Sequence, residues 1–317
     1  MLEALAIAEV RGNGLVHYAD LVELGVTSRQ VRRALGEGYL IRVHRGVYAR
    51  PPQNDLSQAR DLHRLQVRAT CSLAGPDSIV SHLSAAAMHG LPLIGRWPNR
   101  VHVSRVDAEG GSSSPGIISH RTDDVPDMVM IDGVVVTSII RTLVDVACTS
   151  SFAVGVAMTD FALRFCGVKV DELLNELERV SPVYGRKVAR RAFEFADGRS
   201  GSPGESLSRV QAHLLGYAPP ELQVHVSTVK GQFDVDFGWP RAHRFGEFDG
   251  LVKYTRDAYL KGRTIQEVVV EEKEREDAIR AKTGSSFVRW LWKDALSPAL
   301  FARILGEAGI PRLRGRG

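Results

Sequence analysis

Acidic and apolar residues alternate on two successive predicted strands in the last third of the chain, and this pattern constrains the fold most. The first strand reads FDVDFGW, and Asp234 and Asp236 share one of its faces. The second reads HRFGEFDGLVKY, and Glu247 and Asp249 share one of its faces. Because a short turn beginning at Pro240 joins the strands into a hairpin, acids of both strands are predicted to converge.

The elements around this hairpin are predicted in the order helix, three strands, helix, strand. A helix, GESLSRVQAHLLG, follows Pro203, and LQVHVSTV forms the strand before the hairpin. The charged segment TIQEVVVEEKEREDAIRAKTG predicts a helix that ends at Gly284, and FVRWLW predicts a buried strand before a last helix after Pro298. The glycine- and serine-rich stretch ADGRSGSPGES places a domain boundary near residue 200.

Converging carboxylates are a candidate metal site. Hard cations such as Mg²⁺ or Mn²⁺ prefer clustered carboxylate oxygens, and such ions activate water and stabilise the leaving oxygen of a phosphodiester. We predict Asp236, Glu247 and Asp249 as the metal ligands. Lys253 would support the attacking water, with Lys273 as the alternative. The competing interpretation is a solvated surface hairpin that carries several acids.

Other ionisable residues are weaker candidates. Glu205, at the start of the opening helix, is either a further ligand or a charge that favours the helix N-terminus. The three cysteines form no CxxC pair, which argues against a thiolate zinc site and fits a reducing cytoplasm. Histidines of the middle region lie at irregular spacings and are predicted to be core or surface residues: His82, His89, His102 and His120.

The first fifty residues predict three helices followed by a β-hairpin, which is the order of a winged helix. The helices are predicted over residues 3–11, 18–24 and 28–36. Thr27 caps the third helix, and YLIRVHRGVYAR gives two strands with a turn at Gly46. Residues 28–50 contain six arginines and one acid, so positive charge concentrates on the elements that contact DNA in helix-turn-helix proteins.

These basic residues are predicted to contact double-stranded DNA, because arginine suits bidentate contacts to phosphate and guanine. The formal net charge of +4 adds only weak support, so the local concentration matters more. The alternative is a protein-binding module whose arginines lie on a solvated face. The predicted DNA-contacting residues are Arg29, Gln30, Arg32, Arg33, Arg42 and Arg45.

Residues 200–308 resemble the PD-(D/E)XK nuclease-like domains akin to very-short-patch-repair endonucleases. The resemblance is carried by GES at 204–206, VDFGWP at 235–240, EFDG at 247–250 followed by KY, and EEKERED before FVRW. It implies that Asp236, Glu247 and Asp249 bind the metal and that Glu205 assists. One departure is that ExD replaces the ExK of the motif, which leaves the role of the lysine to Lys253 or Lys273.

Residues 5–180 resemble the AbiE-type (type IV) antitoxins of bacterial toxin–antitoxin systems. The matching stretches are the N-terminal segment with RGVYAR, then SHLSAAAMHGLPL and VTSIIRTLVDVA. The resemblance implies a winged helix that binds promoter DNA and represses transcription, a middle domain that supports it, and a cognate toxin as a candidate partner.

The sequence therefore predicts an α+β, multidomain chain. A winged-helix domain is expected at 1–52, a mixed α/β middle domain at 60–197 and a restriction-endonuclease-like αβββαβ domain at 200–310. The predicted function is a DNA-binding protein with a Mg²⁺-dependent endonuclease domain that acts in phage defence. The alternatives are an antitoxin-like repressor with an inactive nuclease fold and a protein that neutralises a separate toxin. No signal peptide or membrane span is expected, which favours the cytoplasm.

Overall fold

The computed structural model describes residues 1–52, 58–73, 79–106, 116–123, 125–180, 184–250 and 264–313. The chain is a mixed α+β protein that divides into two units by its internal contacts. The first unit contains Met1–Ser150 and Asp171–Arg190, and the second contains Ser151–Val170 and Arg191–Gly317. The three domains predicted from the sequence stay a prediction, since this division separates only two units.

Helices and a small sheet form the N-terminal part of the first unit. Its elements are α1 (Leu2–Arg11), β1 (Val16–His17), α2 (Tyr18–Glu23), α3 (Ser28–Gly36), β2 (Ile41–His44) and β3 (Val47–Ala49). The sheet has the order β1-β3-β2 and is antiparallel. Apolar residues at helical spacing, among them Leu5 and Ala8 of α1 and Val31 and Ala34 of α3, form one buried cluster.

A five-stranded sheet with helices forms the rest of the first unit. Its elements are α4 (Gln58–Leu73), β4 (Ile79–Val80), α5 (His82–Met88), β5 (Val101–Val106), β6 (Ile117–Thr122), β7 (Met128–Ile131), β8 (Val134–Thr137), α6 (Ile139–Thr149) and, later in the chain, α8 (Val170–Arg179). The strand order is β6-β5-β4-β8-β7. Val67, Val80, Ala85 and Val136 pack together in its core.

A four-stranded sheet is the centre of the second unit. The elements are α7 (Phe152–Phe165), α9 (Arg186–Phe195), which begins in the first unit, α10 (Pro203–Leu214), β9 (Glu221–Thr228), β10 (Gly231–Trp239), β11 (Arg244–Phe248), α11 (Ile265–Thr283), β12 (Ser286–Trp290), α12 (Trp292–Ala295) and α13 (Pro298–Glu307). The sheet order is β12-β11-β10-β9, and only the β11–β12 pair is parallel. The predicted order of helix, three strands, helix and strand is confirmed.

One boundary in this sheet differs from the prediction. The third strand was expected to run through Asp249 towards Lys253, but β11 ends at Phe248 because its parallel partner β12 ends at Trp290. Asp249 therefore follows the strand, and its N–H donates to the carbonyl of Trp290 at 2.9 Å. Lys253 lies outside the described residues. Among the helices described, none is long and apolar enough to cross a membrane.

Candidate functional site

The exposed face of α3 carries three arginines. Thr27 caps this helix as predicted: its Oγ1 accepts from the N–H of Gln30 at 3.4 Å, and Gln30 Oε1 accepts from the N–H of Thr27 at 2.8 Å. With Val31 and Ala34 buried, the opposite face is left to solvent. The arginines on that face are Arg29, Arg32 and Arg33. Gln30, predicted as a DNA contact, is engaged in the cap.

Two of the five arginines that are predicted to contact DNA lie on the hairpin. Four of the five have no acidic partner within the described ranges. Arg42 and Arg45 are exposed on β2 and on the turn after it. Arg33 differs, because its Nε donates to Glu37 Oε1 at 2.7 Å and this hydrogen bond raises the pKa of Arg33. Within the described ranges, the guanidinium groups of four residues make no hydrogen bond or ion pair: Arg29, Arg32, Arg42 and Arg45. We call these four residues the basic surface.

A cavity brings part of the basic surface together. It has a volume of about 400 Å³ and lies between α3, the start of α2 and the β2–β3 hairpin. Its polar lining residues are Tyr18, Ser28, Arg32, Arg42, Arg45 and Tyr48. Three guanidinium groups without acidic partners at one cavity create a local positive potential that suits a polyanion.

The second candidate site surrounds Glu247, which is only 3% exposed on β11. Two arginines neutralise its carboxylate. Arg275 of α11 donates to Glu247 Oε1 at 2.7 Å, and Arg289 Nη2 of β12 lies 2.8 Å from Glu247 Oε2. The second contact is an ion pair without hydrogen-bond alignment, since Oε2 accepts no hydrogen bond.

Arg289 is the centre of a larger cluster of acids. Its guanidinium nitrogens lie 3.4 Å from Asp249, 2.9 Å from Glu272 and 3.3 Å from Glu276, in addition to the contact with Glu247. Burial by itself would lower the pKa of Arg289, but the negative charges of Glu247, Asp249 and Glu272 outweigh burial and raise it. Arg289 is therefore a permanent cation held among four carboxylates.

The remaining predicted acids take different positions. Asp236 Oδ2 accepts from the backbone N–H of Phe248 at 2.9 Å, which places it beside the strand segment that carries Glu247. Asp234 is exposed and pairs with His225 at 2.9 Å on the surface. The three predicted metal ligands therefore lie near one end of β11: Asp236, Glu247 and Asp249. The Asp234 side chain is not part of the cluster.

Glu205 and the two candidate lysines are not tied to the cluster by described contacts. Glu205 Oε2 accepts from the N–H of Gly201 at 2.8 Å and from Gln223 Nε2 at 2.9 Å. Lys273 is exposed on α11, and Lys253 is in the part of the chain that is not described. The contribution of either lysine to catalysis stays a prediction.

The acids of this cluster do not fit a divalent cation as they are arranged. Mg²⁺ requires free carboxylate oxygens at about 2.0–2.1 Å in octahedral geometry. Here both Glu247 oxygens face guanidinium groups, Asp249 contacts Arg289, and one Asp236 oxygen binds backbone. In the ranges described, no group of three or more His, Cys, Asp or Glu side chains is arranged to hold a metal.

The arginines of the cluster were not found from the sequence, although α11 carried a signal. Glu272, Arg275, Glu276 and Ile279 follow the spacing i, i+3, i+4, i+7, so they share a helix face, and Ile279 is fully buried. That face packs towards the sheet, whereas Lys273 lies off it. The spacing of Arg275 relative to the buried Ile279 is therefore the sequence signal that places Arg275 towards the acids.

Three of the four histidines form a stack in the first unit. The rings of His82 and His120 lie 3.6 Å apart between centroids, and His102 Nδ1 lies 2.9 Å from His120 Nε2. Burial lowers the pKa of all three, for His102 to about 4, so they are neutral at pH 7. Of these, His82 is buried and the other two are partly buried, in keeping with the core or surface positions expected.

The N-terminal segment matches a known family of regulators. Residues 3–51 match the family model described as "Transcriptional regulator, AbiEi antitoxin". This range runs from the second residue of α1 through β3 and therefore contains the whole basic surface. The match extends over the N-terminal segment alone and shows nothing about the acids of the second unit.

Two uncharacterized proteins of Mycobacterium tuberculosis are similar over a longer range. They are MT2308 of strain CDC 1551 / Oshkosh and Rv2248 of strain H37Rv, each 28% identical over 266 residues, covering 79% of this chain and 93% of the relative. The crystal structure of the RV2827C protein from the same species is similar over 61% of this chain and 74% of that chain, with 15% identity. Its TM-score of 0.35 is too low to support an argument about fold.

Proposed function

We propose that this chain is a DNA-binding transcriptional regulator of the AbiEi antitoxin type, which docks on duplex DNA through a winged helix formed by α1 to β3. The observation that carries the proposal is the basic surface: Arg29, Arg32, Arg42 and Arg45 are exposed and unpaired within the described ranges. The match of residues 3–51 to a family of transcriptional regulators supports it.

The physical basis is electrostatic. Each arginine that neutralises a phosphate releases condensed counterions, and this release supplies much of the affinity of proteins for DNA. An arginine already paired with an acid must first lose that partner, so unpaired arginines are better phosphate ligands. Arg29 and Arg32 lie three residues apart on one face of α3, the helix expected in the major groove. Arg42 and Arg45 of the hairpin would contact the phosphates beside that groove.

A gel-shift assay with the DNA upstream of the protein's own gene tests the proposal. The double variant Arg32→Ala, Arg45→Ala is expected to lose binding, since it removes two cations of the basic surface. Arg11→Ala is the matched control, because Arg11 is exposed in the same unit but pairs with Glu23 at 3.5 Å. Wild-type protein that binds no DNA, or equal loss in the control, would contradict the proposal.

A Mg²⁺- or Mn²⁺-dependent endonuclease is the second candidate function. The observation in its favour is that Asp236, Glu247 and Asp249 are drawn to one end of β11. The contacts of Arg275 and Arg289 with Glu247 argue against it, because these guanidinium groups take the charge that a cation would neutralise. We therefore favour the regulator, with the second unit as a catalytically inactive, nuclease-like scaffold.

Incubation of the purified protein with Mg²⁺ or Mn²⁺ and plasmid, single-stranded DNA or RNA separates the two functions. The regulator predicts no cleavage by the wild type. Cleavage that disappears in the double variant Asp236→Ala, Glu247→Ala would establish the nuclease instead. A cognate toxin as partner stays a proposal that rests on the family match, and co-purification with the product of a neighbouring gene tests it.

A further inference from the structure

A second cavity of the first unit lies beside the hairpin, and no residue of α3 lines it. It has a volume of about 390 Å³ and is bounded by β2, α4 and the segment at residues 95–99. Its polar and aromatic lining residues are Arg42, His63, Gln66, Arg96, Trp97 and Asn99. Neither the sequence motifs nor the family match assigns a role to this cavity.

Its aromatic wall is held in place by buried groups. The Trp97 ring stacks on His63 with centroids 5.8 Å apart and planes inclined by 16°. His63 is buried, lies 2.9 Å from Ser84 Oγ, and has its pKa lowered by burial to about 4, so the ring is neutral at pH 7. Gln66 of α4 donates to the carbonyl of Asn99, which ties the segment to the helix. These contacts fix the position of the aromatic wall.

The charge of the cavity is positive. Arg42 and Arg96 are exposed, and neither guanidinium has a hydrogen bond or ion pair with any residue that the structure describes. Arg42 lines this cavity and also the cavity between α3 and the hairpin. Because one side chain borders both, the second cavity continues the basic surface rather than forming a separate patch.

We propose that this cavity, which we call the Trp97 pocket, holds the sugar–phosphate backbone of the DNA segment that flanks the site contacted by α3. Arg42 and Arg96 contact successive phosphates, and the half-buried indole of Trp97 packs against the deoxyribose between them. Phosphates and sugars are the same in every sequence, so these contacts position the duplex and read no bases. The inference rests on the proposed DNA-binding function.

DNA length decides whether the Trp97 pocket is occupied. A duplex that ends at the phosphate contacted by Arg42 lacks the phosphate of Arg96, whereas a duplex that continues about one helical turn further supplies it. Affinity is measured by fluorescence anisotropy on both duplexes over a series of salt concentrations. Arg96→Ala is expected to make the slope of log K against log[salt] shallower by about 0.9 on the long duplex, because one phosphate contact is lost. On the short duplex its slope should equal that of the wild type.

Trp97 is tested by two substitutions. Trp97→Ala is expected to weaken binding to the long duplex about three- to tenfold without a change of salt slope, since the contact is apolar. Trp97→Phe keeps an aromatic ring on His63 and should retain most of the affinity. Comparison of the two variants therefore distinguishes loss of the contact with DNA from loss of the folded structure. Arg121→Ala is the control for charge, because Arg121 is exposed in the same unit and lies 3.5 Å from Asp123.

The outcomes separate this inference from the function on which it rests. If the wild type binds both duplexes and the Arg32→Ala, Arg45→Ala variant does not, the DNA-binding function holds. If, in that case, Arg96→Ala and Trp97→Ala bind the long duplex with the affinity and salt slope of the wild type, the Trp97 pocket is overturned. The DNA-binding function is not affected by that result. If the wild type binds neither duplex, the function itself fails and the inference fails with it.

Discussion

Glu247 and Arg289 are register partners on the adjacent parallel strands β11 and β12, and Arg289 Nη2 lies 2.8 Å from Glu247 Oε2. The sheet itself therefore fixes a cation beside the acid that the sequence motif assigns to a metal. Arg289 can move away from Glu247 only if the strand pairing or the Arg289 rotamer changes. This relationship is the main physical reason to favour a scaffold over a nuclease.

Removal of that cation is expected to destabilise the protein. Arg289→Ala leaves the buried Glu247 carboxylate with Arg275 as its only described ion-pair partner, so we expect a loss of about 2–3 kcal/mol in the free energy of unfolding. Urea denaturation followed by circular dichroism measures it. Arg280→Ala is the control, because Arg280 is exposed and its pair with Glu276 on α11 is worth less than about 1 kcal/mol. Equal losses in both variants would show that Arg289 is not a special partner of Glu247.

The histidine stack is expected to make the first unit sensitive to acid. His82, His102 and His120 are neutral in the folded state because burial lowers their pKa, whereas in the unfolded chain they titrate near 6.5. Between these values the unfolded state binds more protons, so stability falls as the pH drops from about 6.5 towards 4. The cationic neighbours that oppose protonation of the stack are Arg100 and Arg141, while Asp145 lies 3.9 Å from His82 Nδ1.

Urea denaturation at pH 7 and pH 5 tests this dependence. The wild type is expected to be less stable at pH 5 than at pH 7, by about 1 kcal/mol from His102 after allowance for its partial exposure, and His82 and His120 lower the stability in the same direction. His102→Gln should show a weaker dependence, since one of the titrating groups is absent. His243→Asn, at an exposed position in the second unit, should leave the dependence unchanged. A wild type with the same stability at both pH values would refute the prediction.

Neighbouring arginines on α3 are expected to contribute unequally to DNA binding. Arg32 has no described partner. Arg33 donates to Glu37 at 2.7 Å, and this carboxylate partly neutralises the positive charge of Arg33. Arg32→Ala should therefore make the salt slope shallower by about 0.9, while Arg33→Ala changes it by less. Glu37→Gln frees Arg33 and should strengthen binding. Identical slopes for the two alanine variants would show that the Glu37 pair does not matter.

Local signals in the sequence predicted local structure well. The bounds of α3, its cap by Thr27 and the end of α11 at Gly284, which has a φ of 66°, follow from residues close in the chain. The contacts of Arg289 did not follow, because they depend on the parallel pairing of β11 with β12 across a long connection. The Trp97 pocket was missed for the same reason, since it joins β2, α4 and a later segment.

The GES stretch that suggested a nuclease also has a purely structural explanation, which a substitution at Gly204 tests. A Cβ atom at Gly204 of α10 would lie 2.1 Å from the ring of Phe248, at the end of β11. Alanine is the better helix former by about 1 kcal/mol, yet the clash with a buried ring should make Gly204→Ala destabilising by about 1–3 kcal/mol. Gly36 of α3 is the matched control, because a Cβ there meets nothing within 4 Å. Gly36→Ala should be neutral or stabilising. Were Gly204→Ala equally well tolerated in urea denaturation, close packing of α10 on Phe248 would no longer explain the glycine, and a role for GES in a site would regain support.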